Sequence, residues 1–280
     1  MIDERINKVA ALANAAFYDS EAARKYIDGA PHIKHLALRR LYGKLVVSAY
    51  EYATTYNPNP CVLDLGAGEG SVTLPFLELG SKVTAIDISK GQLETLQAKC
   101  AAHSKNLEIR CEDVFEGIKS LQSESRRYDI VVANSFLHHI PDYLSLIRQA
   151  SSVISSHGQF FSFQDPLRYS SVGRFNRTFT LLCYFSWRIF KGDIIGGVSR
   201  LIRRSRGVYL DNDPQDSAEY HAMRNGVDQD AIRELFEQMG FKCEIIPYFS
   251  TQSRIWQPAG TVLGINNTFG VLARRISRGT

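Results

Sequence analysis

Two kinds of hydrophobic spacing divide the 280-residue chain. Near the N-terminus, apolar residues such as Ile6 and Val9 recur every three to four positions, which predicts helices, and a longer helix is predicted over 35–52. The Asn-Pro-Asn-Pro sequence at 57–60 ends this helical region. We therefore predict an N-terminal helical lid over residues 1–56.

From Cys61 onward, short apolar runs alternate with helical segments. The predicted strands lie at 61–65, 82–86, 107–111, 129–133, 159–163, 242–249 and 268–273. The predicted helices lie at 71–79, 90–102, 141–155 and 228–239. Strands and helices that alternate at this spacing form right-handed βαβ units around a parallel sheet. The pattern therefore predicts an α/β fold.

Composition narrows the class of protein. Hydrophobic residues make up 44% of the chain and charged residues 22%, which is enough apolar material for a packed core. We expect no transmembrane helix, because no apolar run is long enough to span a membrane. We expect no secretory signal, because charged residues stand where such a signal needs an apolar run. The five cysteines are scattered and form no CxxC pair, which argues against a disulfide scaffold and against a zinc site. We expect a soluble cytoplasmic protein without a metal.

The positive charge is concentrated in one segment. Residues 166–210 hold nine basic residues and one acid, a net charge of +8, which leaves −4 on the rest of this +4 chain. The same segment is rich in aromatic residues and interrupts the βαβ succession. We interpret residues 166–225 as a cap insertion, so that 57–165 and 226–280 form the core domain.

The cap insertion supplies our candidate substrate-binding residues. They are Tyr169, Phe175, Tyr184, Trp187, Arg188 and Arg200. Guanidinium groups among aromatic rings suit an acidic or hydrophobic substrate. Two alternatives stay open: an interfacial element that contacts an anionic membrane, and a solvated basic face on a helical subdomain.

A glycine-rich turn gives the sharpest chemical signal. Gly66 and Gly68 follow a predicted strand and precede a predicted helix, with Asp64 two positions before the first glycine. Asp87 ends the next strand and can accept hydrogen bonds from both hydroxyls of a ribose. These features fit NAD as well as S-adenosylmethionine. However, Ser71 stands where a dinucleotide fingerprint requires glycine or alanine, and Asp64 suits an ammonium group better than a pyrophosphate.

Several motifs together resemble the class I S-adenosylmethionine-dependent methyltransferases of the small-molecule type. The matching elements are 63–70, Asp87, 112–114, 128–140 and 158–166. The resemblance implies a Rossmann-like seven-stranded sheet with one antiparallel strand, an N-terminal helical lid and a helical cap after strand five. It also implies S-adenosyl-L-methionine as the cofactor. The cofactor-binding residues that we expect are Tyr18, Tyr26, Asp64, Gly66, Ala67, Gly68, Asp87, Ile88, Gln92, Asp113, Val114, Asn134 and Ser135.

Some of these residues have structural interpretations as well. Asp64 could equally support the glycine turn through hydrogen bonds, and Asp113 could cap a turn instead of binding an adenine amine. His138 and His139 follow the fourth strand, where an imidazole could act as a general base worth about 10²–10⁴-fold in rate. Alternatively, both histidines pack in the loop. Adjacent residues point in different directions, so we expect at most one of them to meet the substrate.

The expected function is methyl transfer from S-adenosylmethionine to a small-molecule acceptor, such as a natural product, a sugar or a lipid-like compound, by direct displacement. One alternative is an NAD-dependent oxidoreductase on the same sheet, and another is a protein that binds the cofactor without methylating. A nucleic-acid methyltransferase is disfavoured because the residues at 134–137, Asn-Ser-Phe-Leu, lack the Pro-Pro-aromatic motif of DNA-amine enzymes. We therefore expect no nucleic-acid partner. The sequence leaves open the acceptor atom, the oligomeric state and contact with a membrane surface.

Overall fold

The computed structural model describes residues 4–19, 30–191, 196, 198–199, 202–203, 206–208, 220–222 and 224–276. Two of the predicted site residues, Tyr26 and Arg200, lie outside these described residues.

Within residues 4–19 and 30–56, three helices precede the sheet, in agreement with the apolar spacing of this region. They are α1 (Glu4–Tyr18), the short α2 (Pro31–Lys34) and α3 (Leu36–Thr54). The buried side of α3 includes Leu38, Val46 and Ala49, and the amide of Gln159 in the sheet donates a hydrogen bond to the Ala49 carbonyl at 2.6 Å. This helix is therefore anchored to the middle of the sheet.

Seven strands form one sheet in the order β3-β2-β1-β4-β5-β7-β6. The strands are β1 (Cys61–Leu65), β2 (Lys82–Asp87), β3 (Leu107–Cys111), β4 (Tyr128–Asn134), β5 (Ile154–Pro166), β6 (Phe241–Tyr248) and β7 (Thr268–Arg275). Neighbouring pairs from β3 to β5 are parallel, whereas β7 runs antiparallel to both β5 and β6. The predicted seven-stranded sheet with one antiparallel strand is confirmed.

Helices cover both faces of this sheet. They are α4 (Thr73–Glu78), α5 (Lys90–Lys99), α6 (Val114–Ser123), α7 (Tyr143–Ser152), α8 (Arg174–Lys191), α9 (Gln229–Gln238) and α10 (Trp256–Val262). Short 3₁₀ segments lie at Ala101–Asn106 and Leu137–His139. The sequence pattern did not predict α6 or α10. The predicted helix over 141–155 extended too far, because Ile154 already pairs with Tyr128 in the sheet.

Period-two alternation on the central strands builds two core layers. Leu63, Val131 and Phe160 point to the layer that contains α6, α7 and α9. Their neighbours Val62, Val132 and Phe161 point to the layer that contains α3, α4 and α5. Because successive strand residues face opposite sides, one run of apolar residues supplies both cores.

The long helix α8 lies at the carboxyl edge of the sheet. Its buried Cys183 and neighbouring Phe179 pack against Phe249, Trp256 and Ile265, which follow β6 in the chain. The indole N–H of Trp256 also donates to the Ser186 hydroxyl at 2.7 Å. These contacts fix one side of α8, while residues on its opposite side are exposed. Among the described residues, no helix is long and apolar enough to cross a membrane.

Candidate functional site

A cavity of about 150 Å³ opens at the carboxyl ends of the parallel strands. This is the edge at which open α/β sheets bind ligands. The wall is formed by the turns after β1, β2, β3 and β4, and α1 and α2 supply the cover. The predicted cofactor residues that line this cavity are Tyr18, Gly66, Ala67, Gly68, Asp87, Ile88, Gln92, Asp113, Val114, Asn134 and Ser135.

The glycine turn shapes the floor of the cavity. The backbone N–H groups of Gly66 and Ala67 donate to the Ile86 carbonyl of β2, at 2.9 and 3.1 Å. Gly66 has a φ of +70°, and a Cβ there would lie 2.2 Å from the Phe136 ring. Gly68, with a φ of +53°, borders open space. The first glycine therefore permits close packing, and the second leaves room in the cavity.

Asp87 is oriented by two backbone amides. Its Oδ2 accepts a hydrogen bond from Gly68 N and its Oδ1 accepts one from Ser89 N, both at 2.8 Å. Each carboxylate oxygen has further acceptor capacity, which two ribose hydroxyls could use. Burial raises the pKa of Asp87, and the hydrogen bonds from the backbone oppose this shift.

Asp64 lies behind the turn rather than in the wall of the cavity. It is fully buried, and its Oδ2 accepts a 2.6 Å hydrogen bond from the Thr73 hydroxyl. Burial raises its pKa to about 7, and the nearby Asp87 and Glu69 carboxylates add to that shift.

Asp113 has two roles in the structure: it caps α6 by accepting from Phe115 N at 2.9 Å, and it lines the cavity.

The end of α1 is fastened to the start of α5. The Asp19 carboxylate accepts hydrogen bonds from the Ser89 hydroxyl at 2.6 Å and from Gly91 N at 3.0 Å. The Gln92 side-chain amide donates to the Tyr18 carbonyl at 2.9 Å. These contacts hold Tyr18 over the cavity. The sequence analysis did not assign Asp19 to the site, because its partners are distant along the chain.

The two candidate general bases occupy different surroundings, although both are buried. His139 lines the cavity, and its Nε2 lies 3.3 Å from the Tyr18 hydroxyl. His138 is not in the cavity wall. Its Nδ1 lies 2.8 Å from Oδ1 of the buried Asp165, which also accepts from the His138 backbone N–H at 3.1 Å. His138 is thus held to β5, whereas His139 faces the space a ligand would occupy.

The described candidate residues of the cap insertion do not line the cavity. The Tyr169 hydroxyl donates to the Ala222 carbonyl at 2.6 Å, and Phe175 is 66% exposed. The Arg188 guanidinium lies over the rings of Tyr184 and Trp187, at 5.1 and 5.2 Å from their centroids. Their role in substrate binding stays a prediction.

The cavity also contains polar residues that the sequence analysis did not assign. Asn14 of α1 and His32 of α2 both line it, and each side chain is 8% exposed. Burial lowers the pKa of His32 to about 4. The only sequence signal was that His32 belongs to a segment preceding the long helix α3. Among the described residues, no cluster of three or more His, Cys, Asp or Glu side chains could hold a metal ion.

Comparison with known proteins identifies the domain that carries this cavity. Residues 62–158 match a family model described as a methyltransferase domain. The seven-stranded sheet that contains this segment has the strand order of the class I methyltransferase fold. The match includes the glycine turn, Asp87, Asp113 and both candidate histidines.

Curated relatives match this chain over a limited length. A ubiquinone biosynthesis O-methyltransferase from Coxiella burnetii is 27% identical over 100 residues, which cover 36% of this chain and 41% of that protein. A protein of the same description from Xanthomonas campestris is 30% identical over 112 residues, covering 40% and 46% respectively. The chain thus matches less than half the length of these relatives.

Solved structures match the fold over a larger share of the chain than the curated relatives do. Magnesium protoporphyrin IX methyltransferase from Synechocystis PCC 6803 with bound SAH has a TM-score of 0.55 at 15% identity, covering 95% of this chain and 100% of that one. The plantazolicin methyltransferase BamL, in complex with a triazolic desmethylPZN analog and SAH, has a TM-score of 0.57 at 13% identity, with 97% of both chains covered. At these identities the likeness shows the fold.

Proposed function

We propose that this protein transfers a methyl group from S-adenosylmethionine to a small-molecule acceptor. One observation carries the proposal: nearly all of the predicted cofactor residues line a single cavity at the carboxyl edge of the sheet. The exception among the described residues is Asp64, which lies behind the glycine turn. Tyr26 lies outside the described residues. The methyltransferase domain match over residues 62–158 supports the same activity.

The chemistry of the cavity fits the proposed cofactor. Asp87 would hold the ribose hydroxyls, and Asp113 with Val114 would frame the adenine. The Gly66–Gly68 backbone and Asn134 would surround the methionine part. Within the described part of the chain, the buried Gln92 Oε1 and Asn134 Oδ1 have no hydrogen-bond partner. Both are acceptors, and the cofactor carries ammonium, hydroxyl and amine donors that such atoms can pair with.

When bound, S-adenosylmethionine supplies an electrophilic methyl group on a sulfonium. The protein contributes chiefly by holding the acceptor atom in line, since alignment replaces much of the entropy cost of a bimolecular reaction. His139 would take the proton of the acceptor group, and the Tyr18 hydroxyl would orient its imidazole. His138 and Asp165 would hold the turn that carries His139. Helices α1 and α2 would exclude water.

The acceptor is proposed to be a small molecule with an oxygen nucleophile. The curated relatives that match this chain are described as ubiquinone biosynthesis O-methyltransferases, which supports oxygen over nitrogen or carbon. The placement of His139 supports the same choice, because a hydroxyl benefits from a base as it attacks.

The test of the proposed function begins with cofactor binding. Asp87→Ala removes the carboxylate that would accept the ribose hydrogen bonds, so the affinity for S-adenosylmethionine should fall by about 1.5–3 kcal/mol. Asp230→Ala is the matched control, because Asp230 is an exposed carboxylate on α9, away from the cavity. Isothermal titration calorimetry measures the affinity of both variants for S-adenosylmethionine. NADH is titrated as well, as the ligand expected of the alternative oxidoreductase.

Turnover completes the test. Methyl-labelled S-adenosylmethionine, incubated with panels of phenols, quinols, sugars and lipids, should transfer label to at least one hydroxyl compound. Equal cofactor affinity in the folded Asp87→Ala and parent proteins would contradict the ribose assignment. Binding of NADH but not of S-adenosylmethionine would replace the methyltransferase proposal with an oxidoreductase.

A further inference from the structure

Two buried polar side chains on the N-terminal helices remain after the cofactor residues are assigned. Asn14 and His32 both line the cavity and are almost completely buried. Within the described residues, Asn14 Oδ1 and His32 Nδ1 have no hydrogen-bond partner. Asn14 Oδ1 is an acceptor, and His32 Nδ1 is an acceptor in the tautomer whose ring proton is on Nε2. A buried acceptor without a donor is destabilising, so the pair indicates a ligand group that donates hydrogen bonds.

The fold places His32 away from the expected adenine end of the cavity. Its ring centroid lies 6.4 Å from that of Tyr42, whose own ring is 5.4 Å from Phe163 at the end of β5. By contrast, Asp87 is the last residue of β2 and Asp113 follows β3, on the other side of β1 and β4 in the sheet order. The His32 side of the cavity is therefore the side that adenine and ribose would leave open.

The character of the lining restricts what can bind there. Ala11, Ile33 and Ile140 contribute apolar surface, and no lysine or arginine among the described residues lines the cavity. His32 is neutral at pH 7, because burial lowers its pKa to about 4. An anionic ligand would therefore meet no cation, whereas an uncharged ligand with a hydroxyl group would meet hydrogen-bond acceptors.

We propose that Asn14 and His32 form the acceptor subsite and accept hydrogen bonds from a hydroxyl-bearing, uncharged and largely apolar molecule. This assignment rests on the proposed function, since it concerns the part of the cavity that the cofactor would not fill. It moves substrate selection from the cap insertion to helices α1 and α2.

Paired probes with the same ring system test the subsite. 2-Naphthol and 2-naphthoate differ in charge but share an apolar frame, and their binding is measured by calorimetry on the SAH-saturated protein. We expect 2-naphthol to bind at least about tenfold more tightly than 2-naphthoate. Asn14→Leu and His32→Leu should each weaken 2-naphthol binding about tenfold or more, while the Kd for SAH stays within about twofold of the parent value.

A second histidine, His157, offers a matched control. His157 also has a buried Nδ1 without a partner among the described residues, but it lies near the amino end of β5, stacked on Tyr56. His157→Leu should leave binding of both probes unchanged. If His32→Leu does not fold, as judged by circular dichroism, Asn14→Leu decides the test alone.

The outcomes separate this inference from the proposed function. Binding of 2-naphthoate as tight as that of 2-naphthol would overturn the inference. The same holds if 2-naphthol binds the parent and the folded variants equally, or binds none of them, while SAH binds normally. A parent protein that does not bind SAH would instead reject the proposed function, and the acceptor subsite with it.

Discussion

At the scale of single residues, burial shifts the pKa values of His32 and Asp64 so that their contributions to stability depend on pH in opposite directions. Loss of water around His32 lowers its pKa from 6.5 to about 4, so the stability that it contributes is full above pH 6.5 and is lost as the pH falls through 4. Burial raises the pKa of Asp64 from 3.8 to about 7, so its contribution is full below pH 3.8 and is lost as the pH rises through 7. Between these limits the two groups act in opposite directions.

Variants of these two residues should therefore diverge with pH. Relative to the parent, His32→Leu should gain free energy of unfolding as the pH falls from 6.5 to 4, by about 3 kcal/mol at most. Asp64→Asn should lose a similar amount relative to the parent as the pH falls from 7 to 4, because only the parent gains from protonation of Asp64. Urea unfolding at a series of pH values measures both differences. Parallel curves for parent and variants would contradict the assigned burial.

Two glycines of the same turn should tolerate a methyl group differently. At Gly68 the Cβ of alanine meets only the strain of a positive φ, about 1–2 kcal/mol, because it borders open space. At Gly66 the same strain is joined by a clash with the Phe136 ring, so Gly66→Ala should destabilise by about 2–5 kcal/mol. Chemical denaturation compares the two variants. Equal losses would mean that the Phe136 ring moves aside without cost.

At the scale of elements, the sequence predicted what local patterns determine. Strands β1 and β3 have the same bounds as the apolar runs from which they were predicted, because such runs between turn residues specify a buried parallel strand. Strand β5 is longer than predicted at both ends, because Ile154 pairs with Tyr128 of β4, and Asp165 and Pro166 pair with β7. These pairings are tertiary contacts that local periodicity does not encode.

The residues of the candidate site likewise fall into those that local sequence patterns predict and those that depend on tertiary contacts. The glycine turn and Asp87 were predictable, because both immediately follow strands whose carboxyl ends must meet at one edge. Asn14 and His32 were not assigned, since their place in the cavity depends on how separate helices lie across that edge. The charge of the cap insertion is visible in the sequence, and its role in substrate binding stays a prediction. In the structure, α8 directs Phe179 and Cys183 toward the segment after β6.

At the scale of the whole molecule, the N-terminal helices are tied to both halves of the sheet edge. Helix α1 is held at one end by Asn7, which accepts from Asp142 N at 3.2 Å, and at the other by Asp19. Beyond α2, His35 donates to the Thr251 carbonyl at 2.8 Å, after β6. The helical cover therefore bridges elements that are far apart in the sheet order, and a ligand in the cavity lies beneath it.

This arrangement predicts that ligand binding and closure of the cover are coupled. Opening of α1 would break the contacts of Asp19 and uncover the cavity, so a ligand that needs the closed cavity must oppose opening. SAH at about 100 times its Kd should slow amide exchange in α1 by up to about a hundredfold, since it stabilises the closed form by about 2.7 kcal/mol. Helix α9, on the other side of the sheet, should change little. Asp19→Ala should speed exchange of α1 in the free protein and weaken SAH binding, whereas Asp230→Ala should do neither. Exchange of α1 that is equally fast with and without bound SAH would show that the helix does not act as a cover, whatever the cavity beneath it binds.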